Sequence, residues 1–215
     1  MRPGWDEREI ARLGFFSDAV FAVVMALVVS HIVLPETYVT SDVLHDALGD
    51  AATQLFGSAV AFAAIGVLWA EHHRLFGRLR RGGEALLWGT LGFLGLVVLW
   101  SFPAAVFTKH LDAPVAMLFF AGWMTVTGLA WSALWWWVVV RGRLIDESQD
   151  SELGRRVLIR SLTVPAIFAL SAPLAPVTFA IRADRFSLAI VIWIVALPIA
   201  QIALRERDEA VSGSG

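Results

Sequence analysis

Long apolar runs, separated by short charged segments, dominate the pattern of hydrophobic and polar positions along the chain. A helix needs about 20 consecutive apolar residues to cross the hydrocarbon core of a bilayer, and six runs are long enough. The pattern therefore predicts an all-α integral membrane protein without a separate soluble domain. The six predicted transmembrane helices are Leu13–Leu34, Leu55–Phe76, Ala85–Phe107, Pro114–Val140, Val157–Ile181 and Phe186–Leu204. We expect one transmembrane domain over residues 1–205 and a flexible tail over 206–215.

Composition supports the membrane interpretation. Hydrophobic residues make up 58% of the 215 positions, and the mean hydropathy is +0.69, whereas a soluble domain is usually about 45–50% apolar. The chain has no Cys, so disulfide frameworks and thiolate chemistry are excluded. Lys109 is the one lysine beside many arginines, a bias typical of a GC-rich genome. We therefore expect a multi-pass protein of a bacterial plasma (inner) membrane.

The distribution of positive charge predicts the orientation. Cytoplasmic loops carry an excess of Arg and Lys. Fourteen of the 17 Arg and Lys residues lie in the two tails, the second-to-third loop and the fourth-to-fifth loop, and three lie on the opposite side. Those three are Lys109, Arg182 and Arg185. Both termini are therefore predicted to be cytoplasmic.

The first external loop, Pro35 to Gln54, contains Glu36, Asp42 and Asp50 but no Arg or Lys. An acidic mouth would raise the local cation concentration. The alternative, which we favour, is an ordinary solvated loop that follows the same charge rule. Ser41 is expected to cap a short amphipathic turn within this loop.

An ionisable side chain near the start of the first span is the most informative single residue. A carboxylate in an apolar run is costly and needs a partner, so Asp18 should have one. The alternative is that Ser17 or Asp18 simply caps the start of the helix. Arg8 and Glu9 upstream are compatible with a helix that already continues there, which argues against a cap.

The sequence around Asp18 resembles a known family. Arg12, Phe16, Ser17 and Asp18 form the pattern Arg-x-x-x-Phe-Ser-Asp, which is the signature of the TMEM175 family of potassium channels. The segment Trp69-Ala70-Glu71-His72-His73-Arg74-Leu75-Phe76 and the third span, with Trp88 and Phe102-Pro103, are similar to bacterial members.

The resemblance implies a homotetramer in the lipid bilayer, with the first helix of each subunit lining one central pore. The implied constriction consists of Val23, Leu27 and Ser30, with Ala26 just behind it. Bacterial relatives commonly have Thr at the position of Ala26 and Leu at the position of Ser30, so we expect a more polar upper layer and weak selectivity. The implied function is potassium permeation down the electrochemical gradient. It requires no enzyme activity, cofactor or bound metal beyond permeant potassium, and no nucleic acid.

The positions of these residues around the first helix follow from helical geometry alone. Positions 23, 27 and 30 follow i, i+4, i+7 spacing and form one stripe. At 100° per residue, Asp18 lies about 140° around the helix from Val23, so it should face its own subunit, on the side of Gly14 and Ala22. We expect it to act in a structural lock rather than as a cation site.

Candidate partners of Asp18 at the same level are Arg12, Trp69, His72 and His73. The two histidines are adjacent and therefore point about 100° apart on a regular helix. That angle argues against both of them holding one metal ion.

A hydrophobic constriction gates by dewetting, and potassium loses its hydration water more readily than sodium. The alternatives are a proton-conducting channel and a secondary transporter. Transporters often contain broken helices, and Pro165, Pro173 and Pro176 could break the fifth span, but that span lacks ionisable partners. We find no catalytic constellation beyond the group of Asp18 and the two histidines.

Overall fold

The computed structural model describes residues 5–30, 32, 41–138, 151–181, 189–196 and 199. Regular structure in these ranges is helical, apart from an isolated backbone bridge between Trp5 and Gly82. The helices are α1 Glu7–Val29, α2 Ser41–Phe76, α3 Glu84–Val98, α4 Ser101–Lys109, α5 Pro114–Trp136, α6 Ser151–Ser171 and α7 Leu174–Ile181. The predicted tail over 206–215 lies outside the described residues.

Five helical segments in the described ranges are long and apolar enough to cross a membrane: Glu7–Val29, Ser41–Phe76, Glu84–Lys109, Pro114–Trp136 and Leu158–Val177. They correspond to the first five predicted spans. Of the sixth predicted span, residues 189–196 are described and helical, and most of the remainder lies outside the described residues. The architecture agrees with the predicted all-α membrane fold.

The first helix begins earlier than its apolar run. Asp6 caps α1: its side chain accepts a hydrogen bond from the backbone N–H of Glu9, and the Glu9 side chain accepts one from the backbone N–H of Asp6. This reciprocal capping box satisfies backbone donors that the first turn leaves without helical partners. The alternative that Ser17 or Asp18 caps the helix is therefore wrong, because both residues lie well inside α1.

The second helix is much longer than predicted. It begins at Ser41 rather than Leu55, so a 36-residue helix includes residues 41–54 of the expected loop and replaces the expected short turn. At 1.5 Å per residue such a helix is about 54 Å long, and the hydrocarbon core is about 30 Å thick. A polar helical extension therefore projects beyond the bilayer. The rest of the predicted loop, residues 35–40, lies outside the described residues.

Prolines interrupt two of the predicted spans. The third divides into α3 and α4 around Leu99 and Trp100 because Pro103 has no N–H to donate to the carbonyl of Leu99; Phe102 donates to that carbonyl instead, at 3.2 Å. In the fifth span, α6 ends at Ser171 and α7 starts just after Pro173. Pro165 lies within α6 without ending it.

Helix α5 occupies the centre of the fold and packs against α3, α4, α6 and α7, while α1 packs against α2, α3 and α4. Large aromatic side chains fill the core. The rings of Phe107 and Phe120 stack at 4.3 Å, and that of Trp193 lies 4.9 Å from Phe168. The indole N–H of Trp193 donates to the Ser171 hydroxyl at 2.7 Å, so residues 189–196 join the same core.

Candidate pore helix and its anchor

The two faces of α1 differ sharply in burial. Its packed face is buried against the rest of the subunit and consists of Ile10, Leu13, Ser17, Phe21, Val24 and Val28. Val23 is 58% exposed and Leu27 is 42% exposed, although both are large and apolar. Ala26 and Ser30 are exposed as well. The predicted stripe therefore lies on the uncovered side of the helix, away from its own subunit.

Ser30 closes the C-terminal end of α1. Its hydroxyl donates to the carbonyl oxygen of Leu27 at 2.7 Å, and its backbone N–H donates to the same oxygen at 3.2 Å. Serine hydroxyls commonly satisfy carbonyls left open at such positions. The hydroxyl of Ser30, at the polar end of the stripe, is therefore bonded to the backbone of its own helix.

Asp18 bonds to α2, on a side of α1 that differs from the stripe. The indole N–H of Trp69 donates to Asp18 Oδ1 at 2.9 Å, and His73 Nδ1 lies 3.4 Å from Asp18 Oδ2. Trp69 and His73 are one helical turn apart, with ring centroids 5.4 Å apart. The structure therefore brings together three of the side chains that the sequence singled out. We call this set the Asp18 anchor.

The small residues around Asp18 do not all lie on the packed side of α1. A Cβ on Gly14 would lie 3.4 Å from the Phe76 ring, so Gly14 does face α2, as expected. Ala22 is exposed, which contradicts its expected place on the packed side. Ser17 is fully buried and its hydroxyl donates to the Leu13 carbonyl of its own helix at 2.8 Å.

The other half of the motif does not join the Asp18 anchor. Arg12 is exposed and makes no hydrogen bond or ion pair with Asp18 within the described part of the chain. Arg12 and the half-exposed Phe16 instead line a groove between α1 and α3.

His72 is buried in an aromatic box rather than directed at Asp18. Its ring stacks on Phe76 at 4.3 Å and lies 5.3 Å from Trp131 and 5.5 Å from Phe21. Neither of its ring nitrogens has a hydrogen-bond partner among the described residues. Over these same residues, no group of three or more His, Asp or Glu side chains converges as a metal site would require.

A buried charge cluster on another face of α2 from the Asp18 anchor was not predicted from the sequence. Glu71 Oε1 lies 2.9 Å from Arg74 on the same helix and 3.1 Å from Arg160 on α6. Glu71 is buried, with 7% of its surface exposed. The expectation that the fifth predicted span lacks ionisable partners is wrong, because Arg160 lies in that span and pairs with Glu71. Opposite charges in two spans signal such a pair, but 89 residues separate Glu71 from Arg160, so spacing alone could not match them.

Known proteins resemble this chain over most of its length. A family model described as the endosomal/lysosomal potassium channel TMEM175 matches residues 12–100. A potassium channel of Streptomyces collinus is 31% identical over 180 residues, which cover 80% of this chain and 87% of that protein. The chain belongs to the TMEM175 potassium channel family.

Further comparisons agree with membership of the TMEM175 family. A potassium channel of Chamaesiphon minutus is 29% identical over 149 residues, which cover 67% of this chain and 73% of that protein. The crystal structure of a lysosomal potassium-selective channel TMEM175 homolog from Chamaesiphon minutus superposes with a TM-score of 0.74 at 22% identity, covering 92% of this chain and 98% of that one. The latter likeness establishes the shared fold.

Family membership confirms three expectations. The suspected resemblance is correct, the fold is an all-α, multi-pass membrane fold, and the named relatives are channels, a non-enzymatic class. The TMEM175 match over residues 12–100 contains α1 from Arg12 onward, all of α2 and most of the third span. It therefore includes both sides of the Asp18 anchor and the exposed stripe.

Proposed function

We propose that this TMEM175-family chain is a potassium-permeable channel that conducts down the electrochemical gradient. Four copies surround one pore, and α1 of each copy lines it. The assembly lies in the plasma membrane of a bacterium, with both termini in the cytoplasm. The names of the relatives support the permeant ion, and the predominance of Arg on one side supports the orientation.

The exposed stripe on α1 is the observation that carries the proposal. A pore-lining residue must be uncovered in the isolated subunit, and it must lie opposite the face that fixes the helix. Val23 and Leu27 meet both conditions, since Val24 and Val28 beside them are buried. The Asp18 anchor supports this assignment because a hydrogen bond to α2 fixes the rotation of α1 about its axis.

Conduction through this stripe follows from the physics of a narrow apolar ring. Four copies of Val23 and Leu27 form constrictions that exclude bulk water, and ions pass when the ring is wide enough to wet. Potassium sheds part of its hydration more readily than sodium, so the constriction favours potassium. Ser30 makes the outer layer polar and less bulky, which weakens that preference. No cofactor takes part.

Cysteine substitution tests the assignment directly, because the chain has no native Cys. Leu27→Cys should react with a small, charged, water-soluble thiol reagent in open channels, and the modification should reduce the current. Two matched controls share the method: Val24→Cys, on the buried face, and Val126→Cys, on an exposed apolar face of α5. Neither should change the current on treatment. Equal effects at Leu27 and Val126 would refute a pore lined by α1.

Side-chain volume gives a second test. Val23→Ala and Leu27→Ala should raise conductance and reduce the preference for potassium over sodium. Each substitution shortens the side chain in all four subunits and so widens the ring that these side chains form around the pore axis. Ser30→Leu should do the reverse. Unchanged conductance and permeability ratio in all three variants would contradict the proposal.

A further inference from the structure

The first turns of α2 continue beyond the two helices that pack against it, α1 and α4. A Cβ on Gly57 would lie 3.1 Å from the Cα of Thr108, near the end of α4. The Ser58 hydroxyl donates to the Val28 carbonyl at 3.4 Å, near the end of α1. Residues 41–56 therefore extend for about 24 Å past the level at which α1 and α4 end. We call this segment the α2 extension.

One side of the α2 extension is apolar and uncovered. Its large apolar side chains on that side are exposed by 46% at Leu44, 54% at Leu48 and 55% at Leu55, and the smaller Ala51 lies between them. The four positions are spaced by four, three and four residues, and at 100° per residue they lie within about 60° of each other. This is the heptad spacing of a coiled-coil seam. We call these four residues the α2 seam.

The charged residues of the α2 extension lie away from the α2 seam. Asp42 and Asp50 are exposed and lie about 120° and 160° around the helix from Leu48. The positions that flank the seam, 45, 47, 52 and 54, contain no Asp, Glu, Lys or Arg. Charges at such flanking positions select the partner of a coiled coil. Without them, the α2 seam accepts an identical copy without repulsion and offers no charge to attract a different protein.

The bilayer cannot cover the whole α2 seam. Gly57 lies beside Thr108, which precedes the charged Lys109, and so marks the edge of the hydrocarbon core. Leu48 and Leu44 lie about 14 Å and 20 Å farther along α2, whereas the headgroup region is only about 5–8 Å thick. Because α2 contains no proline, its first turns continue outward rather than fold onto the bilayer surface. The seam is therefore open to water in the isolated subunit, where a helical segment of about 16 residues is only marginally stable without packing.

We infer that the α2 seams of neighbouring subunits pack against each other as a short parallel coiled coil outside the bilayer; this inference rests on the proposed tetramer. All copies span the membrane in the same direction, so their seams are parallel and at the same height, and each seam residue meets its own counterpart. Two heptads are fewer than an independent coiled coil needs, but copies held in one assembly have a high effective concentration. The contact removes the leucines from water and joins the subunits beyond the end of α1.

Oxidative cross-linking tests the inference in the intact protein, which has no native Cys. Leu48→Cys, treated with copper phenanthroline in vesicles, should form disulfide-linked dimers, because a seam residue meets its counterpart. Asp50→Cys is the matched control, since it is exposed at nearly the same height on another side of α2, and it should stay monomeric on a non-reducing gel. Equal dimer formation by the two variants, or none by either, would overturn the inference.

A charge within the seam separates packing from chance collision. Leu44→Cys should form dimers, and adding Leu48→Asp should abolish them, because like charges would then meet in the seam. Adding Asp42→Asn instead should leave the dimers unchanged. Dimers that persist with Leu48→Asp would overturn the inference, as would dimers that disappear when each vesicle holds one channel, since the contact would then join separate channels.

Native mass spectrometry of the same samples separates this inference from the proposed function. A tetramer whose Leu48→Cys subunits do not cross-link would overturn the coiled coil alone and leave the proposed channel intact. A monomer would contradict the proposed tetramer, and the coiled coil with it.

Discussion

Replacing Glu71 by Gln removes one negative charge from a buried cluster while preserving the size of the side chain. The carboxylate is shared by two guanidinium groups: that of Arg74, at 2.9 Å, and that of Arg160, at 3.1 Å. The side chains of Glu71 and Arg160 are 8% and 11% exposed, so little water is available to replace the lost interaction. The pair joins α2 to α6, beside the Asp18 anchor on another face of α2.

The expected destabilisation follows from that burial. Removing one partner from a buried ion pair typically costs about 3–5 kcal/mol. The amide oxygen of Gln still accepts one hydrogen bond, so we expect about 2–3 kcal/mol for Glu71→Gln. Arg160→Gln should cost less, because Glu71 retains Arg74, and a double-mutant cycle should give a coupling of about 1–3 kcal/mol.

Glu7→Gln is the matched control. It removes the carboxylate of an exposed pair, Glu7 with Arg80 at 3.5 Å, whose side chains are 79% and 64% exposed. Exposed pairs contribute about 0–1 kcal/mol. Unfolding can be measured by titration with sodium dodecyl sulfate in mixed micelles, followed by the fluorescence of the ten tryptophans. Equal stability of Glu71→Gln and Glu7→Gln would refute the reasoning.

Of four further predictions, three use the same unfolding assay, and the one for Asp18→Asn uses tetramer assembly and ion permeability. Gly128→Ala should destabilise the subunit by about 1–3 kcal/mol, because the added Cβ would lie 2.9 Å from the rigid ring of Pro165. Gly122→Ala is the control and should leave the stability unchanged, because its Cβ would meet nothing within 4 Å. Equal destabilisation by the two substitutions would contradict the close crossing of α5 and α6 at Gly128. Trp69→Phe should lower the free energy of unfolding by about 1 kcal/mol through loss of the hydrogen bond to Asp18. Asp18→Asn should impair tetramer assembly and leave the potassium-to-sodium permeability ratio unchanged. A changed ratio in assembled channels would place Asp18 in the pore. His72→Phe should keep or raise stability, because neither imidazole nitrogen has a partner in the described ranges; a loss above about 1 kcal/mol would show that the ring makes a polar contact.

Hydropathy predicted the apolar parts of the helices but not their polar extensions. The capped start of α1 at Glu7 and the early start of α2 at Ser41 add charged turns, which an apolar-run criterion excludes. Nothing in the sequence between Ser41 and Leu55 breaks a helix except Gly49, which a helix tolerates. Helix boundaries outside the membrane therefore depend on capping and on the absence of prolines.

Tertiary pairing explains which of the expected neighbours of Asp18 the structure places beside it. A carboxylate inside an apolar run requires a partner, and the angular offset from Val23 pointed Asp18 away from the exposed stripe, so Trp69 and His73 were within reach of sequence reasoning. Arg12 does not join them, because its six-residue separation from Asp18 places it about 120° around α1, where it faces the groove with α3.

Potassium permeation can be tested by the reversal potential of the purified protein in a planar bilayer. For a potassium channel, the reversal potential should shift toward the potassium equilibrium potential under opposing potassium and sodium gradients and should not follow an imposed pH gradient. A reversal potential set by the pH gradient would indicate a proton channel. Uptake of potassium in vesicles without measurable channel current would indicate a transporter, and either result would contradict a potassium channel.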